Sequence, residues 1–186
     1  NEPQKPKKPL SKQKNERGNN YAFYAWYKDA QLSQGYDFSS PVTDDLTLYA
    51  KWLPGFVFVE GDLVTDYLAS GRDITIKDIF VCDHEVTQRE YYAITNKTPS
   101  SNNKINSPEE FPVENISWFD AIAYCNLLSI QEELTPCYKI NDKTDPAEWG
   151  TPAATTSVSC NVSANGYRLP TEAEWEFAAR GGNRSR

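Results

Sequence analysis

The sequence predicts an α+β fold with much irregular structure, and three observations predict it. Short aromatic and β-branched runs separated by turn residues read as strands. Three Ser/Thr positions are followed three residues later by an acid, the local signature of a helix start. A long Thr/Asn/Asp/Pro-rich stretch between the second and third of these starts reads as loop. Composition sets the scale: in 186 residues the hydrophobic share is 39%, and the 5 Trp, 11 Tyr and 8 Phe carry much of it. A modest core with abundant polar loop follows.

Residues 1–20 hold Pro, Lys, Asn and Gln with almost no apolar side chains, which predicts a disordered linker. Six Lys/Arg against two Asp/Glu give them +4, so of the net charge of −7 the remaining residues carry −11. That balance excludes nucleic acid as a partner of the body of the chain, because phosphate binding needs a basic face. No apolar run approaches the roughly 20 residues that span a bilayer, so no transmembrane segment is expected. With Asn1 first and no Met, the sequence reads as a processed or partial chain.

From Tyr21 the pattern changes. YAFYAWY and LTLYAKW predict two strands joined by a long connection containing Gly35 and Pro41. Leu53-Pro54-Gly55 punctuates the chain. FVFVEGD (56–62) predicts a strand entering a turn, and ITIKDIFVCDHEV (74–86) a second strand-like run.

The helix starts are Thr87-x-x-Glu90, Ser117-x-x-Asp120 and Thr171-x-x-Glu174. In each, the hydroxyl accepts from a free amide of the first turn while the carboxylate reaches back to the cap. Behind Ser117, Trp118, Ala121, Ile122, Cys125 and Leu128 recur at three- and four-residue steps, giving one apolar face to pack on a sheet. Residues 136–166 are expected to be a long irregular loop. In YRLPTEAEWEFAARGG (167–182), Pro170 sets the entry, Thr171 caps, and Glu172, Glu174 and Glu176 complement the helix N-terminus. Two-residue spacing turns successive glutamates about 200° apart, so they do not converge on a reaction centre.

Asp83-His84-Glu85 offers three potential metal ligands, but neighbours on a strand alternate faces, and no metal site is expected from them. The four cysteines (Cys82, Cys125, Cys137, Cys160) contain no CxxC, and the single His leaves no second imidazole to activate a thiol. Structural roles are expected. Cys137 and Cys160 flank the polar loop beside segments that read as extended. If those segments pair, a disulfide would close the loop in an oxidising compartment, whereas a reducing one leaves two free thiols.

Two resemblances extend these readings. Ala25-Trp26-Tyr27, Asp29, Tyr36-Asp37-Phe38, Pro41-Val42-Thr43 and Leu46 to Trp52 resemble the later part of a Listeria–Bacteroides surface repeat, a small β-grasp-like module of exported bacterial proteins. GYRLPTEAEWEFAARGG resembles the formylglycine-generating-enzyme (sulfatase-modifying-factor) family. Glu85-Val86-Thr87, Thr98-Pro99-Ser100, Pro112-Val113-Glu114, Ser117 to Ala121 and Tyr124-Cys125-Asn126 fall in that family's order. The resulting organisation is a linker at 1–20, a partial repeat at 21–53 and a formylglycine-generating-enzyme-like domain at 54–186. The second resemblance implies a C-type-lectin-like fold, present here in part. It also implies an oxidase that uses copper and oxygen to convert a sulfatase cysteine to formylglycine, with calcium-binding loops. It places the copper-binding cysteine pair and those loops beyond Gly182, so no catalytic, cofactor or metal role is inherited here. Cys125 matches a helix cysteine that pairs downstream in some relatives, and is expected reduced and buried. Trp118, Arg168, Glu172 and Trp175 are expected to be structural. The expected function is a non-catalytic binding or structural role, toward a protein or carbohydrate, in an exported surface protein. The alternative is the oxidase, completed by a further half.

Overall fold

The computed structural model describes residues 21–39, 41–67, 70–101 and 111–182, and the expected linker at 1–20 lies outside them. The described chain divides into two compact units, one running through His84 and including the residues from Glu172 on, the other Glu85–Thr171.

In the first unit the aromatic runs form the expected strands. β1 (Tyr21–Tyr27) pairs antiparallel with β2 (Tyr49–Pro54), Phe23 opposite Trp52 and Tyr27 opposite Tyr49. The register shifts between Phe23 and Ala25, a bulge at Tyr24. On one side Phe23 meets Trp52 edge-on at 5.5 Å, while Tyr24 lies 5.5 Å from Phe80. In the connection, the Asp29 carboxylate accepts from the amides of Ser33 and Gln34 and from the Ser33 hydroxyl, which closes the turn after β1.

β3 (Phe56–Val59) pairs antiparallel with β6 (Ile79–Cys82), Phe56 opposite Cys82. The run expected as one strand over 74–86 is broken: β5 (Ile74–Thr75) pairs instead with β4 (Leu63–Val64), and the chain leaves the ladder at Lys77-Asp78. The break has a physical cause, since Asp78 turns its carboxylate onto the Gly61 amide at 2.9 Å. The helix α3 (Glu172–Ala179) completes this unit; Gly181 and Gly182 follow it at φ +76° and +79°.

The second unit begins with α1 (Gln88–Thr95) and α2 (Trp118–Gln131). Both carry the complete capping box: Thr87 with Glu90, Ser117 with Asp120. Tyr91, buried on α1, stacks on Tyr124 of α2 at 5.6 Å. The apolar face of α2 packs on no broad sheet. Ile122 and Cys125 bury against Cys137, Tyr138, Ile140 and Trp149, which come from the stretch expected as loop. That stretch holds β7 (Tyr138–Lys139), β8 (Ser159–Cys160) and a 3₁₀ turn at Pro146–Glu148. Its backbone polar groups are met without long strands: the Asn126 amide donates to the carbonyls of Tyr138 (2.8 Å) and Thr144 (2.6 Å), and the Trp149 indole to Lys143 (2.9 Å).

Candidate functional site

Two places concentrate chemistry-bearing residues. The first is the segment 165–169, a bend and the start of the YRLPTEAEWEFAARGG string. Side chains, not a neighbouring strand, hold its backbone. Ser129 Oγ accepts from the Tyr167 amide (2.8 Å) and donates to the Cys125 carbonyl (2.7 Å). Tyr138 Oη accepts from the Leu169 amide at 3.0 Å, and the Asn165 side chain accepts from the Thr135 amide at 2.8 Å. Gly166 has no freedom to change: a Cβ there would sit 2.3 Å from the Thr135 carbonyl oxygen and 2.7 Å from Ser129 Oγ.

The thiols of this unit lie in the same packing. Cys137 is buried and donates to the Gly166 carbonyl at 3.3 Å. Burial pushes the Cys125 thiol up to about 12 and raises Cys137 as well, so both stay protonated near neutral pH. The flanking segments pair as β7 and β8, but no disulfide joins Cys137 and Cys160. The register explains this: Cys160 faces Tyr138 across the ladder, while Cys137 turns into the core. Cys160 is exposed.

The remaining residues named from sequence lie on several elements. Thr87 and Ser117 cap α1 and α2, and Thr171 directly precedes α3. Trp118 is 52% exposed although its ring meets Phe119 (5.4 Å) and Tyr138 (6.3 Å) edge-on. Trp175 is 64% exposed and Glu172 is exposed. Arg168 Nη1 donates to the Leu169 carbonyl. The α3 glutamates separate as their spacing requires: Glu174 is buried, and Glu176 pairs with Arg180.

The second place is the end of β6, the stretch where the sequence analysis weighed Asp83, His84 and Glu85 as ligands. The alternation argument fails there because the strand stops at Cys82; Asp83 and His84 lie in a bend. Cys82 Sγ, an Asp83 carboxylate oxygen and a His84 ring nitrogen lie within 4.8 Å of one another, and Glu85 is not in the group. Asp83 Oδ1 is 2.8 Å from His84 Nδ1, and Cys82 Sγ is 3.6 Å from Nδ1 and 3.9 Å from Nε2. Gly55 shapes the bend. At φ +73° its carbonyl accepts from the Asp83 amide at 2.9 Å, and its bare Cα leaves room for the imidazole, which a Cβ would approach to 3.1 Å at Cε1. The available signal was the helix cap at Thr87, five residues after Cys82, which requires the strand to end between them.

Known proteins share this architecture. Residues 50–186 match the family model described as the sulfatase-modifying factor enzyme 1-like domain, and residues 4–51 match that of the Listeria-Bacteroides repeat domain. A curated relative, the chaperone protein LppX of Paenibacillus barcinonensis, is 42% identical over 125 residues, 62% of this chain and 41% of the relative. Among solved structures, CarF is similar with a TM-score of 0.56 and 29% identity, over 69% of this chain and 57% of that one. Treponema denticola variable protein 1 gives a TM-score of 0.52 and 28% identity, over 76% and 56%. The chain thus spans about two fifths of the curated relative and a little over half of each of the two structures.

Proposed function

The chain belongs to the sulfatase-modifying factor enzyme 1-like domain family, and from that premise we propose that it acts as a non-catalytic binding or structural module of an exported bacterial surface protein. One observation supports the reading: Cys125 and Cys137 are buried and serve in packing, Cys137 hydrogen-bonded to the Gly166 carbonyl. We assign the matched region a C-type-lectin-like arrangement and residues 21–53 a β-grasp-like one. The repeat match supports an extracytoplasmic location, and no described helix is long and apolar enough to cross a membrane. A protein partner fits better than a carbohydrate, because the curated relative carries the name of a chaperone.

The test is direct. Incubated with Cu(I), oxygen and a Cys-x-Pro-x-Arg peptide, the chain is expected to leave the peptide cysteine unchanged by mass spectrometry, and aldehyde formed over many turnovers overturns the reading. A second reading, an oxidase completed by a further segment, draws on the same family match. Adding the C-terminal portion of a relative in trans separates the two: aldehyde appearing only in the mixture favours the second.

A further inference from the structure

We propose that Cys82, Asp83 and His84 bind a single borderline divalent cation, zinc being the best match, through one thiolate, one carboxylate and one ring nitrogen. Among the described residues this is the group of Cys, His, Asp and Glu whose ligand atoms converge, all within 4.8 Å. The donor set selects the ion. Thiolate and imidazole suit zinc and its transition-metal neighbours, whereas calcium and magnesium take oxygen ligands.

The distances agree with that choice. Zinc bonds of about 2.3 Å to sulfur and about 2.0–2.1 Å to nitrogen, held at a tetrahedral angle, set the two ligand atoms about 3.6 Å apart. Cys82 Sγ and His84 Nδ1 are 3.6 Å apart. Two oxygen and nitrogen ligands of one ion stand about 3.4 Å apart by the same construction, so the 2.8 Å contact between Asp83 and His84 opens by roughly half an ångström on binding. That motion is within reach of the Asp83 side chain. The sulfur lies near both ring nitrogens, so the imidazole turns about its χ2 bond to aim one of them at the ion.

The backbone beneath is already fixed. The β3–β6 ladder ends with Phe56 opposite Cys82, and one further rung from the Asp83 amide to the Gly55 carbonyl pins the bend. Three protein ligands leave a fourth tetrahedral position for water or an incoming group, the layout of an open zinc site. The site rests on none of the reasoning about the buried thiols, and it stands or falls apart from the proposed function.

The experiment uses the full chain, stripped with a chelator and titrated with Zn(II) by equilibrium dialysis and with Co(II) by absorption. One equivalent of Zn(II) is expected to bind, with a thiolate-to-cobalt charge-transfer band in the Co(II) form. Cys82→Ser and His84→Gln are expected to weaken binding at least tenfold, and Cys160→Ser, which removes the exposed thiol of the other unit, to leave it unchanged. No saturable site, or one lost in Cys160→Ser and retained in Cys82→Ser, overturns the proposal. A footprint on the unsubstituted chain guards against variants that fail to fold. Saturating Zn(II) is expected to protect Cys82 from iodoacetamide in peptide mass spectrometry, and alkylation at the same rate with and without zinc refutes the site.

Discussion

At the scale of single residues, the interior of the second unit is organised by polar side chains. Asn126 is fully buried; it donates to two carbonyls and accepts from the Tyr138 amide at 3.1 Å. Asn126→Ala strands those groups, at roughly 1–3 kcal/mol for each buried group left unmet. The expected loss is about 3 kcal/mol in a urea titration, and a variant within about 0.5 kcal/mol of the parent would show that water replaces the amide. The sequence placed Asn126 on a helix but could not show this role, because its partners at Tyr138 and Thr144 are 12 and 18 positions away. The thiols behave likewise. Burial of Cys125 was legible from the helical period, whereas the partnership of Cys137 with the Gly166 carbonyl depends on a contact 29 residues distant. Ellman's reagent on the native chain should therefore label exposed Cys160 rapidly and Cys125 and Cys137 only on unfolding; fast labelling of all three would contradict their burial.

At the scale of elements, the features written within four residues were legible and those closed by distant partners were not. Both capping boxes form as the sequence predicts, because hydroxyl, carboxylate and amides all belong to one turn. The two-residue strands β4, β5, β7 and β8 have no period long enough to read, and the apolar residues among 136–166 are diluted by polar neighbours. Ser117 gives the element scale a measurable consequence. Its hydroxyl holds the Asp120 carboxyl below the ordinary carboxylate range, with the Ser117 amide and Lys97 adding to the effect. A carboxyl depressed in the folded state contributes fully above its unfolded pKa, about 3.9, and the contribution disappears as pH falls through the lower folded value. Ser117→Ala is accordingly expected to cost about 1 kcal/mol at neutral pH. The gap between parent and variant should narrow in acid, below the ordinary carboxylate range. A gap independent of pH in chemical denaturation would assign the cost to the cap hydroxyl alone.

At the scale of the whole molecule, sequence families and packing draw different boundaries. The two family matches meet near residue 50, whereas the first compact unit runs on through His84 and regains α3 at Glu172. Each sheet among the described residues has two strands, and an isolated two-stranded hairpin is marginal in water. The pairs of this unit therefore depend on one another. β1 packs beside β3, and Tyr24, turned aside by the bulge, lays its ring against Phe80 of β6, which in turn meets Phe58 of β3 at 5.3 Å. A chain beginning at residue 54 keeps the family match nearly whole and loses the cover over Phe80. Without that apolar contact, β3 and β6 are left as a four-residue pair whose opening free energy falls toward that of a fraying hairpin. Amide exchange at Val57, Val59 and Val81 is expected to accelerate at least tenfold, a loss of about 1.4 kcal/mol, relative to the full chain. The α2 amides, in the other unit, serve as the internal reference. Unchanged protection across β3 and β6 would mean that the boundary drawn by the families is also a boundary of folding.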